Sequence, residues 1–116
     1  MKNTLRLEEL AQFLASIYAF TFLDFAWWWY PALLLTPDIG MVGYLVNTRV
    51  GAFTYNLFHH KAVGLTVLLA GWLTMNQWLL LCGLILLGHA SMDRLVGYGL
   101  KYADSFKHTH LGRIGE

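Results

Sequence analysis

Charge is what this sequence has least of. Charged side chains make up 13% of its 116 residues, roughly half the ~25% of an ordinary soluble domain. That shortage argues against a soluble enzyme, a disordered chain and a nucleic-acid binder. The charge that is present nearly cancels: eight Lys and Arg against seven Asp and Glu leave a net +1. No bulk attraction to polyanions follows, and nucleic acid is not an expected partner. Cysteine is reduced to Cys82, which excludes an internal disulfide and any multi-cysteine metal site. Neither GxGxxG nor a Walker loop is present, so a nucleotide site has no support. Ser16, Ser91 and Ser105 follow no order that would commend a Ser/His/Asp triad.

Apolar residues fill the space that charge leaves. The mean hydropathy is +0.48, and the length allows a single domain, 1–116. Four hydrophobic stretches stand out, at about 7–23, 25–46, 50–72 and 78–96, followed by a tail over 97–116. Each is close to the ~17–25 residues that cross a bilayer at 1.5 Å per residue. The first stretch runs through Asp24 directly into the second, which is the pattern of a retained span rather than a cleaved signal. Trp27, Trp28, Trp29 and Tyr30 form an interfacial belt at the start of the second, with Pro31 tolerated in a first turn. The expected fold is all-α: a compact bundle of four transmembrane helices with a short amphipathic tail.

Basic residues set the orientation. Lys2 and Arg6 precede the first span, Arg49 lies between the second and third, and Arg94, Lys101, Lys107 and Arg113 lie at or beyond the end of the fourth. The loops around Asp24 and 74–77 hold no Lys or Arg. The positive-inside rule then puts both termini in the cytoplasm and the protein in the inner membrane. Lys61, inside the third stretch, is the one exception.

Polar groups within the spans mark the candidate site, because charge in a membrane interior is costly and turns toward a bundle interior or cavity. Counting from the cytoplasmic ends at 1.5 Å per residue puts Asp38 about 12 Å deep, His59 about 13 Å, His89 about 10 Å, Asn56 about 9 Å and Asp93 about 5 Å. His89 and Asp93 are four apart and share a helix face. Asn56 has the same relation to His59 or His60, whose adjacent side chains diverge by about 100°. Spacing leaves open which of the two histidines faces inward.

The C-terminal run Gly97-Tyr98-Gly99-Leu100-Lys101-Tyr102, with Phe106 and Thr109-His110-Leu111-Gly112-Arg113-Ile114-Gly115, resembles the signature of a small bacterial membrane family. That family is catalogued as domain-of-unknown-function family 4260. Pro37-Asp38, Met41-Val42-Gly43-Tyr44-Leu45, Arg49-Val50-Gly51-Ala52, Tyr55-Asn56, His59, His89 and Asp93-Arg94-Leu95 also look like it. The resemblance implies a compact four-helix membrane protein and transfers no established activity. Where the family often has a proline after its Tyr-Asn-x-x-His element, this chain has a doubled histidine and Lys61-Ala62-Val63-Gly64. His60 and Lys61 are therefore weaker candidates than His59.

Several readings follow. Asp38, His59 and His89, with Asp93, make a mixed N/O set suited to a divalent metal, zinc or iron. Such a centre would activate water against a lipid-like or apolar substrate, with Asp93 either at the site or orienting a histidine. Asn56, His110, Tyr44 and Arg94 are further polar-site candidates. Alternatively His59 or His60 pairs with His89 as axial haem ligands, or the polar cluster serves a non-enzymatic proton-coupled carrier or lipid-binding protein, with a homo-oligomer as one form of it. The bland readings stand beside these. The histidines could fix packing across helices, Asp93 and Arg94 could form an interfacial ion pair, and Asp38 could pair with Lys61 or a neighbouring histidine. Tyr98, Tyr102 and Phe106 recur at spacing four and would form one stripe if the tail is helical.

Overall fold

Asn76 opens the helix around which the rest of the chain is arranged. In the computed structural model, which describes residues 1–114, its side-chain oxygen accepts the N–H groups of Trp78 and Leu79 at 2.9 and 3.2 Å. Those are two of the donors that a helix start leaves open. The elements run α1 (Lys2–Phe20), α2 (Trp29–Leu33), a 3₁₀ helix (Thr36–Leu45), α3 (Thr48–His59), α4 (Lys61–Leu73) and α5 (Gln77–Leu95). A short antiparallel hairpin, β1 (His108–Thr109) and β2 (Gly112–Arg113), follows. Helices α1 and α4 pack along α5, while the 3₁₀ helix packs along α3. Phe20, Tyr30, Leu81, Leu84 and Ile85 form the buried apolar core. Ser16 Oγ and Tyr30 Oη close it with a 2.5 Å hydrogen bond.

The all-α class holds, and the fourth hydrophobic stretch matches α5 to within a residue at each end. This is the one helix among the described residues long and apolar enough to cross a membrane. α4 is apolar but only 13 residues long. The first stretch begins earlier than its hydropathy suggests, since the charged start from Lys2 is already helical.

The second stretch, 25–46, is not one helix. It divides into the five residues of α2 and a 3₁₀ helix of 10 residues, long for a form that rarely exceeds one turn. The reason is a repeat of three. Pro37, Gly40 and Gly43 are the buried residues of this segment, and a helix with three residues per turn stacks them on one edge. That edge lies directly on the α3 backbone: a Cβ on Gly40 would come within 2.7 Å of the Thr54 carbonyl oxygen. Thr54 Oγ1 in turn donates to the Gly40 carbonyl at 2.5 Å.

The third stretch, 50–72, is likewise broken. α3 ends at His59, and His60 adopts extended backbone with φ −83° and ψ 122°. Its Nδ1 accepts the Ala62 N–H at 3.1 Å and so caps the start of α4. Lys61 does not turn toward Asp38. It forms an ion pair with Glu9 and a 2.6 Å hydrogen bond to Gln12 Oε1 on α1.

The tail is not helical, so no aromatic stripe of helical spacing forms. Gly97, at φ +101°, ends α5 in a left-handed conformation that glycine adopts without strain. The Tyr98 N–H returns to the Asp93 carbonyl at 2.7 Å and the Gly97 N–H to that of Arg94 at 3.3 Å, the paired bonds of a Schellman turn. Lys101 then bridges to Thr109 beside the hairpin. Gly115 and Glu116 lie outside the described residues.

Candidate metal centre

Four side chains from three elements meet at one point: Asp38 on the 3₁₀ helix, His59 at the last turn of α3, and His89 and Asp93 one turn apart on α5. The His89 Nε2 lies 3.0 Å from Asp38 Oδ1 and 3.0 Å from His59 Nε2. His59 Nε2 is 3.3 Å from both Asp38 Oδ1 and Asp93 Oδ2, and His89 Nε2 is 3.3 Å from Asp93 Oδ2. All four atoms fall within 4.8 Å of one another. Both imidazoles are buried, His59 at 3% and His89 at 0% exposure.

The other nitrogen of each ring fixes what these atoms can do. His59 Nδ1 is 2.8 Å from the Tyr55 carbonyl oxygen, and His89 Nδ1 is 2.7 Å from that of Leu34. A carbonyl can only accept, so each Nδ1 carries a proton and donates it. In the neutral rings both Nε2 atoms then present lone pairs, and they do so toward each other and toward two carboxylate oxygens. Four acceptors at this spacing repel unless a metal ion, or a proton on one Nε2, lies among them. Two carboxylates and two neutral imidazoles carry two negative charges, matching a divalent ion.

Five of the six spacings fit such an ion, and the two carboxylate oxygens stand wider, up to 4.8 Å apart. Ligands about 2.0–2.1 Å from zinc in tetrahedral array are about 3.3 Å apart, and the five separations above are 3.0–3.3 Å. Haem fits poorly. Two axial imidazole nitrogens need about twice a metal–nitrogen bond, roughly 4 Å, and here both carboxylates occupy the space a porphyrin would fill.

Support beyond the ligands comes from Tyr55. Its ring stacks on His59, and its hydroxyl donates to Asp93 Oδ2 at 3.3 Å. Behind it the buried Lys101 ammonium lies 4.7 Å from the Tyr55 ring centre and 3.9 Å from that of Phe106. The centre is open on one side only. Asp38 has 37% of its side chain exposed, against 14% for Asp93.

Four candidates named from the sequence serve other ends. The Asn56 carboxamide turns away from the histidines and binds the Lys101 backbone, accepting its N–H at 2.6 Å and donating to its carbonyl at 2.8 Å. Tyr44 packs edge-on against Phe106, with its buried hydroxyl unpartnered. Arg94 makes no ion pair with Asp93; it donates to the His59 carbonyl at 3.4 Å. His110 stays in the tail, where its Nδ1 accepts the Leu100 N–H at 2.8 Å. The residue that sequence reasoning passed over is Tyr55. Its place four residues before His59, on the same helix face, was the available signal.

No curated protein and no solved structure matches this chain. One family model does, over residues 2–114. That match takes in all four converging side chains and the tail that Asn56 holds, and the chain therefore belongs to the family described as Domain of unknown function (DUF4260).

Proposed function

We propose that this protein is a membrane-embedded metalloprotein in which Asp38, His59, His89 and Asp93 hold a divalent zinc or iron ion, and that it acts as a metal-dependent enzyme on a lipid-like or other apolar substrate. One observation carries the reading: two Nε2 lone pairs, each fixed by an Nδ1–H bond to a carbonyl, converge with two carboxylate oxygens at the spacing of a first coordination shell. A metal there would supply Lewis acidity and lower the pKa of a bound water. A catalytic centre of this kind needs one exchangeable position, and half-exposed Asp38 is the ligand at which it opens.

The apolar substrate class rests on what flanks that opening. Pro37 and Ile39, on either side of Asp38, line a cavity of about 350 Å³ whose other walls include Leu33, Phe58, Ile85 and Leu86. Membrane insertion rests on α5 together with the large apolar side chains left outside, among them Leu14, Tyr18, Phe22, Leu65, Leu69, Trp72 and Trp78. A surface of this kind suits lipid better than water. In this reading four apolar segments cross the inner membrane, both termini face the cytoplasm, and the centre lies in the cytoplasmic half.

Elemental analysis of protein purified in detergent from metal-supplemented cells tests the assignment. Wild type is expected to carry one zinc or iron per chain, lost in His59→Ala and His89→Ala. Folded wild-type protein without stoichiometric metal overturns it.

A further inference from the structure

A second polar site lies at the other face of Arg94. The start of α1, the end of α5 and the hairpin turn enclose a cavity of about 320 Å³. Its polar lining is Lys2, Arg6, Arg94, His110 and Glu9. Lys2 and Arg6 are four apart and share one face of α1. Arg94 uses its guanidinium for one long bond to the His59 carbonyl, leaving most of its five N–H donors for the cavity. His110 accepts a backbone N–H at Nδ1, so its neutral ring carries the proton on Nε2 and is a donor as well.

Acceptors are scarce by comparison. Glu9 is the one acid in the lining, and Lys61 already pairs with it. Among the described residues, no carboxylate lies within 4.0 Å of the cationic atoms of Lys2, Arg6 or Arg94. Three cations and a neutral N–H donor thus surround a space whose one protein anion, Glu9, is already paired with Lys61. Two arginines add the forked geometry that matches a phosphate in bidentate fashion. Leu5 and Leu111 supply an apolar wall beside it.

We propose that this cavity binds a phosphate group, carried by a phospholipid headgroup or free in solution as a phosphate ion. The site stands on its own residues and does not require the metal centre to be occupied.

Calorimetry on the full chain in an uncharged, phosphate-free detergent tests it with two probes, inorganic phosphate and a micelle-soluble short-chain phosphatidylglycerol. Saturable binding is expected, weakened about 10-fold or more in Arg6→Gln and in Lys2→Gln. Tighter binding of the phosphatidylglycerol identifies a headgroup site, and equal binding identifies a free-phosphate site. Absence of saturable binding by both probes, or binding unchanged in Arg6→Gln, overturns the proposal. Metal content is read on the same samples. Loss of phosphate binding with metal retained separates this site from the centre, and failure of one assignment leaves the other standing.

Discussion

Tyr55 lies flat on His59, with ring centres 3.8 Å apart and planes 7° from parallel, while its hydroxyl reaches Asp93. One side chain therefore orients two ligands, one by stacking and one by hydrogen bonding. Groups of this kind typically contribute 10–100-fold to metal affinity. Tyr55→Phe keeps the stack and removes the bond, so it should weaken metal binding about 10-fold, measured by competition with a chromophoric chelator. An unchanged affinity would detach Tyr55 from the centre.

In the proposed reading, stripping the ion loosens the whole assembly, because the four side chains come from the 3₁₀ helix, α3 and α5. A ligand bound only by the folded state stabilises by about 4 kcal/mol at 1,000 times its dissociation constant. Chelator treatment in detergent should lower Tm by several degrees, and restoring the metal should reverse the shift. A Tm indifferent to chelation argues that the four residues form a packing cluster.

Asn56→Ala removes both of its hydrogen bonds to the Lys101 backbone. It leaves a partly buried backbone donor and acceptor unpaired, at about 1–3 kcal/mol. Hydrogen exchange at Lys101 and through the hairpin should accelerate while metal content stays constant. Slow exchange in the variant would show that the tail is held elsewhere.

Gly40→Ala should be destabilising out of proportion to its size. The new methyl would meet the Thr54 carbonyl oxygen, part of a rigid helix backbone, and the Cα of Tyr55 at 3.2 Å. Overpacking of this kind costs about 1–3 kcal/mol, and here it pushes the helix bearing Asp38 off α3. A lowered Tm together with weakened metal binding is expected; either alone would mean that the 3₁₀ helix moves independently of the centre.

Acid should release the tail. Burial and the nearby Arg94 charge hold the His110 pKa below the ordinary imidazole value, so the folded chain binds this proton less readily than the unfolded one. Its contribution is intact above the ordinary value of about 6.5 and declines as pH falls through that value toward the lowered one. Protonation also ends the bond that Nδ1 accepts from Leu100. Amide exchange around Leu100 should therefore rise below about pH 6.5, and His110→Gln should remove the pH dependence.

The meeting of Asp38, His59 and His89 was legible in the sequence, because apolar stretches joined by short connections bring similar depths together, while Asp93 was reached only through its neighbour His89. The i, i+4 relation of His89 and Asp93 was legible as a shared face. Depth counting assumed straight helices, however, and the breaks are where it failed. Nothing about residue type marks His60 as a cap, since the role depends on its own extended backbone. The 3₁₀ helix did leave a trace in the spacing of Pro37, Gly40 and Gly43, which hydropathy alone does not separate from an α-helical pattern. Asn56 was given the wrong neighbour. Its partner is a backbone 45 residues later, in a tail whose glycines permit a path that side-chain spacing does not reveal.

The distribution of the ligands along the chain also governs when the centre can form. His59 and His89 are 30 residues apart, and Asp38 and His89 are 51 apart. The two imidazoles that meet here therefore cannot come together in any shorter piece of the chain. During synthesis the site stays unmade until α5 has been threaded into place, with only the tail still to come. In the proposed reading, metal capture then falls at the end of assembly, as a late latch on helices already packed rather than a seed around which they gather. The loop-closure entropy of those long separations is met first by apolar packing, and in the proposed reading a chain starved of metal still folds, but as a looser bundle more open to proteolysis.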